Sequence, residues 1–247
     1  MRLKEYKLFN FIVAFIIMYA VWQAFAMFLN KPLFPTPYVI IINIVKTFQS
    51  DIAIHVGYSL IRIIAGLLFT LAIGVPVGIL MGYFKKVDLI LSPIIYFNYP
   101  VPKIALLPIV MLVFGLGDLT KIAMIFLITF FPVVVNIKDE VKNIPEEVFY
   151  PMYSLGATNF QIIKEIVFPG SLKSILTSLR IGIGTAISVL FFTENFGTEY
   201  GMGYFIMDSW MRVNYIEMYS GILILSMIGL FFFILIDVLE GIFCPWR

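Results

Sequence analysis

Reactive side chains are sparse in this sequence. One histidine, His55, and one cysteine, Cys244, occur in 247 residues. A metal centre draws on clustered His, Cys and carboxylate ligands. None accompanies His55, which reads as an interfacial residue, and Cys244 reads as an inert end residue. A single cysteine excludes an internal disulfide. Neither a His-Glu-x-x-His pair, a Ser/His/Asp set nor a Gly-x-Ser-x-Gly turn occurs, so hydrolase chemistry has no support. The dipeptide Gly-Lys is absent, and with it the glycine-rich loop that would hold ATP phosphates. Net charge of +2 without a basic run argues against nucleic acid. Arg62, Lys103 and Arg180 interrupt otherwise apolar stretches. Each can sit near an interface or snorkel to it, which leaves little for an ion-driven carrier to titrate.

The elements that hold these residues must be buried in lipid. Apolar residues make up 61% of the chain, charged residues 13%, and mean hydropathy is +1.00. Ordinary soluble domains are roughly half apolar and a quarter charged. A helix crosses the hydrocarbon core with about 20 apolar residues, and helix is the default because backbone groups in lipid must be satisfied within the segment. The expectation is an all-α integral membrane protein of one domain, 1–247, with about six transmembrane helices near 8–29, 59–84, 89–114, 119–137, 174–193 and 219–236. The third is broken by Pro93, Pro100, Pro102 and Pro108. With the N-terminus inside, inner segments hold Arg2, Lys4, Lys7, Lys85, Lys86, Lys138, Lys142, Lys164, Lys173 and Arg247. Outer ones hold Lys31, Lys46, Lys121 and Arg212. This bias places both termini, and a polar loop at 138–173, in the cytoplasm of a multi-pass cell-membrane protein. Thr36 and Pro37 open a short helix expected to lie on the outer face and end by Gln49. Residues 194–218 read as an outer loop with a short helix. No internal repeat is evident, which weakens an inverted-repeat carrier.

The loop carries the strongest local signals. Pro145, Glu146 and Glu147 suit a first helical turn, and Pro151 interrupts or restarts that helix. Gly156 fits a left-handed cap. Thr158 and Gln161 form a Thr-x-x-Gln capping box that opens a second helix, expected to stop before Pro169 and Gly170. Two helices so short are unstable alone. Either they pack on each other as a hairpin or they meet a partner surface.

Gly156 stands thirteen residues before Pro169, with Ile166-Val167-Phe168 preceding the proline. This resembles the EAA loop of membrane permease subunits of binding-protein-dependent ABC importers. Four further stretches, in order, are similar to that family: Ser59-Leu60-Ile61-Arg62 with Gly66; Gly74, Pro76, Gly78 and Gly82; residues 102–117; and Glu194 with Gly201-Met202-Gly203-Tyr204. The nitrate/sulfonate/taurine permease subgroup is the one most resembled, over residues 33–240. Tyr150-Pro151-Met152 stands where the family motif has Glu-Ala-Ala.

The resemblance implies a type I-like ABC importer permease fold that is not itself an enzyme and binds no cofactor, ATP and magnesium being used by a partner. It implies a homodimer of this chain in the lipid membrane. Two copies of a cytoplasmic ATP-binding subunit would grip the loops, and an extracytoplasmic solute-binding protein would dock outside. Gly156, Ala157, Thr158, Phe160, Ile163, Ile166 and Pro169 would form the coupling segment. Ala157, Phe160, Ile163 and Ile166 give it an apolar side at helical spacing. The solute would be a sulfonate, taurine or nitrate, or alternatively a vitamin precursor. Tyr96, Asn98 and Tyr99, just before the broken third span, are candidates for the pathway, or pack at the lipid interface. Glu194 and Asn195 either act in an outer gate or begin a solvated loop. The glycines of the second span either pack tightly or form a contact that shears. A lone secondary carrier and a membrane enzyme or scaffold are the competing classes.

Overall fold

A computed structural model describes residues 2–244, with side chains described at residue 10 and from residue 13 onward. The regular structure described is entirely helical: α1 (Arg2–Leu29), α2 (Pro37–Thr47), α3 (Ala53–Tyr83), α4 (Lys85–Asn98), α5 (Leu107–Phe114), α6 (Asp118–Lys142), α7 (Tyr150–Ser154), α8 (Asn159–Ile162), α9 (Phe168–Thr193), α10 (Met202–Met211) and α11 (Tyr215–Phe243). Among the residues that weigh on the predicted orientation, Arg247 and the side chains of Arg2, Lys4 and Lys7 lie outside what is described.

α3 and α6 form the central seam. Gly66, Gly74, Gly78 and Gly82 of α3 face Ile125, Val133, Ile137 and Val141 of α6. Every pair has the same 59-residue offset as the Thr70–Thr129 hydroxyl pair, 2.7 Å apart. The two helices are therefore parallel and in register. Small residues let helix backbones approach in lipid; a β-carbon at Gly66 would lie 2.6 Å from Ile125 Cγ2, and one at Gly82 2.5 Å from Val141 Cβ.

Parallel neighbours require the intervening chain to cross back. Only the bent pair Lys85–Asn98 and Lys103–Phe114, at 81° to each other, is available for this. The predicted third span is thus one crossing in two pieces. Pro100 and Pro102 supply no N–H to continue the ladder, and a 3₁₀ turn, Lys103–Leu106, restarts it.

α9 runs antiparallel to α6, with Asn136 Nδ2 donating to Ser178 Oγ at 3.3 Å and Gly182 opposite Thr129. α11 runs antiparallel to α9, with Gly229 beside Ile187 and Arg180 paired to Asp237 and to Glu240 (2.9 Å). The end of α1 meets the start of α11 through the Trp22 and Tyr219 rings, 5.8 Å apart. Four helical runs are long and apolar enough to cross a membrane and the bent pair makes a fifth. The 28-residue α1 is apolar over Val13–Leu29, shorter than those runs, so four or five crossings stand against the six expected. Directions alternate, so the ends of α3, α6 and α11 and the Gly156 turn share one face. Arg62 and Glu194 lie toward the other.

Three expectations are corrected. The Thr36–Gln49 helix does not lie separately on a membrane face. A π-turn, Phe48–Ile52, joins α2 to α3 in one 47-residue run, and Asn43 Nδ2 donates to Ser220 Oγ of α11 at 3.0 Å. The helix opened by Thr158 does not stop at Pro169. It passes through a second π-turn, Ile163–Val167, into α9, giving a 35-residue run, Asn159–Thr193. Proline is tolerated there because it occupies the first turn of α9, where its missing N–H is not needed. Arg62 does not snorkel to solvent; it and His55 are 2% and 6% exposed, both buried within the protein.

Candidate functional site

On the loop face, the chain first makes a 3₁₀ turn, Glu146–Val148, then restarts as α7 with Pro151 in its first turn. Gly156 has φ +70°. Its N–H donates to Tyr153 O and that of Ala157 to Met152 O, both at 3.0 Å, which is a Schellman ending. Nothing lies within 4 Å of where a Gly156 β-carbon would be, so the backbone angle alone selects glycine. The Thr158 N–H donates to Gln161 Oε1 at 2.8 Å and the Gln161 N–H to Thr158 Oγ1 at 3.4 Å. That is the reciprocal capping box the spacing predicts.

The helical tip is anchored from beneath. Ile162 and Val167 are buried with Val75, Ile137 and Val141 of the seam. Tyr83 at the end of α3 donates to Asn159 Oδ1 at 3.1 Å, and its ring contacts Phe149, which stacks on Tyr153. The side Ala157–Phe160–Ile163–Ile166 does not point one way. Ala157 and Ile163 pack against the seam cluster and Ile166 is half-buried, whereas Phe160 is 74% exposed. Leu155, which periodicity did not single out because it precedes the turn, is 82% exposed beside it. One side of the loop therefore packs on the seam, and Leu155 and Phe160 leave the other exposed.

On the opposite face, Glu194 follows the last turn of α9 and is fully buried, which excludes a solvated loop start. Arg62 Nη1 donates to its Oε1 at 2.6 Å, Ser59 Oγ lies 2.9 Å from Oε1 and 3.0 Å from Oε2, and the Gly203 N–H donates to Oε2 at 2.8 Å. Arg62 also donates to Asp118 Oδ1 from Nε (2.9 Å) and Nη2 (2.6 Å), and to the Tyr200 carbonyl from Nη1 (2.7 Å). Ser59 Oγ accepts from the Met202 N–H at 2.8 Å, and His55 Nδ1 lies 3.1 Å from Gly201 N and O. His55, Ser59 and Arg62, four and then three positions apart, present one side of α3 to the loop. Gly201 has φ +134°, and a β-carbon there would collide with the Glu194 carboxylate. Lys121, also buried, donates to the carbonyls of Leu116 and Phe196, tying α6 to the same loop.

The remaining pathway candidates stand elsewhere. Asn195 is half-buried, with a side-chain oxygen that finds no hydrogen-bond donor among the described residues. Tyr96 and Tyr99, 53% and 47% exposed, and exposed Asn98 lie along α4 and do not meet Glu194. The Tyr96 hydroxyl accepts from Lys138 Nζ at 3.0 Å, and Asn98 Nδ2 donates to Ile94 O at 2.8 Å. No group of three or more His, Cys, Asp or Glu suited to a metal occurs among the described residues. Sequence reasoning paired none of His55, Ser59, Arg62 or Asp118 with Glu194; the one available signal was the helical spacing of the first three.

A family model described as binding-protein-dependent transport system inner membrane component matches residues 74–246. The chain is 30% identical over 245 residues to the formylaminopyrimidine transport permease protein ThiX of Halalkalibacterium halodurans, covering 99% of this chain and 98% of that one. It is 33% identical over 193 residues to the taurine transport system permease protein TauC of Escherichia coli, covering 78% and 70%. It is 29% identical over 231 residues to the putative aliphatic sulfonates transport permease protein SsuC of Bacillus subtilis, covering 92% and 84%. In fold it is similar to a chain of the inward-facing MetNI methionine ABC transporter, with TM-score 0.69 and 19% identity over 76% of this chain and 94% of that one.

Proposed function

Because the chain belongs to the family of binding-protein-dependent transport system inner membrane components, we propose that two copies of it form the conduit of an ABC importer for a small solute. Two copies of a separate ATPase subunit, using ATP and magnesium, grip the Gly156–Pro169 segments. An extracytoplasmic binding protein delivers solute at the Glu194 face. The lysine and arginine bias supports a cytoplasmic loop face, with both termini inside. The chain itself is a permease component and not an enzyme.

The observation that carries this reading is the uninterrupted run Asn159–Thr193. At one end stand exposed Leu155 and Phe160, an apolar tip suited to a groove on a partner. At the other stands the Glu194 network. Displacing the tip moves α9 as a rigid body and loads the contacts among Glu194, Arg62 and Ser59. Alternating access then follows from biasing two arrangements of those contacts.

Gly156→Asp tests it. The variant is expected in the membrane at normal levels, with the ATPase no longer co-purifying or no longer driving uptake; undiminished uptake would overturn the proposal. For the solute, the taurine and sulfonate relatives favour a small organic anion. The relative covering nearly the whole chain at 30% identity carries a formylaminopyrimidine name, which favours a vitamin precursor as the second reading. Purifying the cognate binding protein and measuring which compound it retains decides between them.

A further inference from the structure

The break between α4 and α5 lies at mid-depth. Lys103 Nζ sits 4.5 Å over the ring of Phe131, near the middle of the 25 residues of α6. Pro100 and Pro102 are exposed there, and Tyr99 is nearly half exposed. Non-helical backbone at this depth cannot face hydrocarbon, where no water would satisfy it; it must line protein or an aqueous cavity. A cavity of about 380 Å³ opens at the break, lined by Tyr99, Val101, Lys103, Phe131 and, from α9, Val189. Lys103 is the only charged side chain in its lining. Its ammonium donates to the carbonyls of Asn98 and of Tyr99 (2.7 Å), which fixes it in the break and leaves one of three N–H donors for a ligand. Among the described residues it forms no ion pair, whereas Arg62, Lys142 and Arg180 each have a carboxylate.

The geometry points to an anion-accepting station in the membrane path, where Lys103 receives a small monoanion such as a sulfonate. This deepens the permease reading and rests on it. Held by neutral carbonyls over an aromatic face, the ammonium has no carboxylate to offset it and can be matched by a passing anion. Because α9 forms one wall, movement of the lever reshapes the station.

The test uses cysteine labelling in membrane vesicles carrying the complex with its ATPase. Cys244, the sole cysteine, is replaced by serine, and Val101→Cys is introduced. Reaction rates are compared for a sulfonate-bearing and a trimethylammonium-bearing methanethiosulfonate. The anionic reagent should be favoured, and the ratio should fall about fivefold or more in Lys103→Gln while surviving in Lys103→Arg. A capping role alone would also lower the ratio, because the charge is lost either way, but would leave Val101→Cys unprotected by methanesulfonate. Whether or not Lys103→Gln accumulates, protection of Val101→Cys by methanesulfonate but not by neutral dimethyl sulfone supports the station, and absence of that protection overturns it. No labelling by either reagent, or a ratio indifferent to Lys103, also overturns it. ATPase retention in the same vesicles separates this failure from failure of the permease reading itself.

Discussion

Glu194 is bound by chemistry that tolerates no single deletion. Its carboxylate is fully buried, and Arg62, Ser59 and the Gly203 N–H take up its oxygens. Removing one member of a buried ion pair strands the other and costs about 3–5 kcal/mol. Arg62→Met and Glu194→Met should each lower the thermal unfolding temperature in detergent sharply, with the double variant losing less than the sum of the two. Additive losses would argue against the pair. Asp118, 54% exposed in its side chain, should cost about 1 kcal/mol or less when changed to Ala. The Gly156 turn was readable in the sequence because capping is local: Gly156, Thr158 and Gln161 lie within six positions. Arg62 and Glu194 are 132 positions apart, and no local pattern announces their meeting.

At the scale of elements, the glycine stripe of α3 is the most sensitive surface. Leucine at Gly66 or Gly78 would push against Ile125 or Ile137, where even a β-carbon lies within 3.0 Å. Overpacking of this kind costs about 1–3 kcal/mol, so yield and thermal stability should fall. Gly57, with open space around it, should accept alanine nearly unchanged, a comparison that separates seam packing from helix propensity. The repeating glycines were legible as a small face, but not which helix it would meet. The prolines misled for a physical reason. Pro169 reads as a stop only if the ladder before it keeps α-helical spacing, and the π-turn at Ile163–Val167 changes that spacing. The same device at Phe48–Ile52 carried α2 into α3. The broken third span was legible from Pro100 and Pro102, while its sharp bend and the carbonyls gathered by Lys103 required the fold.

For the whole molecule, the alternation of crossings puts the Gly156 turn and the Glu194 loop on opposite sides. In a Cys244→Ser background, Thr158→Cys should react with a membrane-impermeant thiol reagent only from the cytosol, and Glu199→Cys only from outside. Labelling of Thr158→Cys in intact cells would invert the proposed orientation. The in-register seam predicts a disulfide between Cys residues placed at Thr70 and Thr129, whose hydroxyls already touch; its failure to form under oxidation would argue against parallel α3 and α6.

On the proposed reading, the helical run from Asn159 to Thr193, about 50 Å long at 1.5 Å per residue, would serve as a pushrod. Thermodynamic linkage makes such a rod work in both directions. An antibody fragment clamping the loop around Gly201 should therefore weaken nucleotide-driven closure on the far side by the same free energy that closure takes from the clamp.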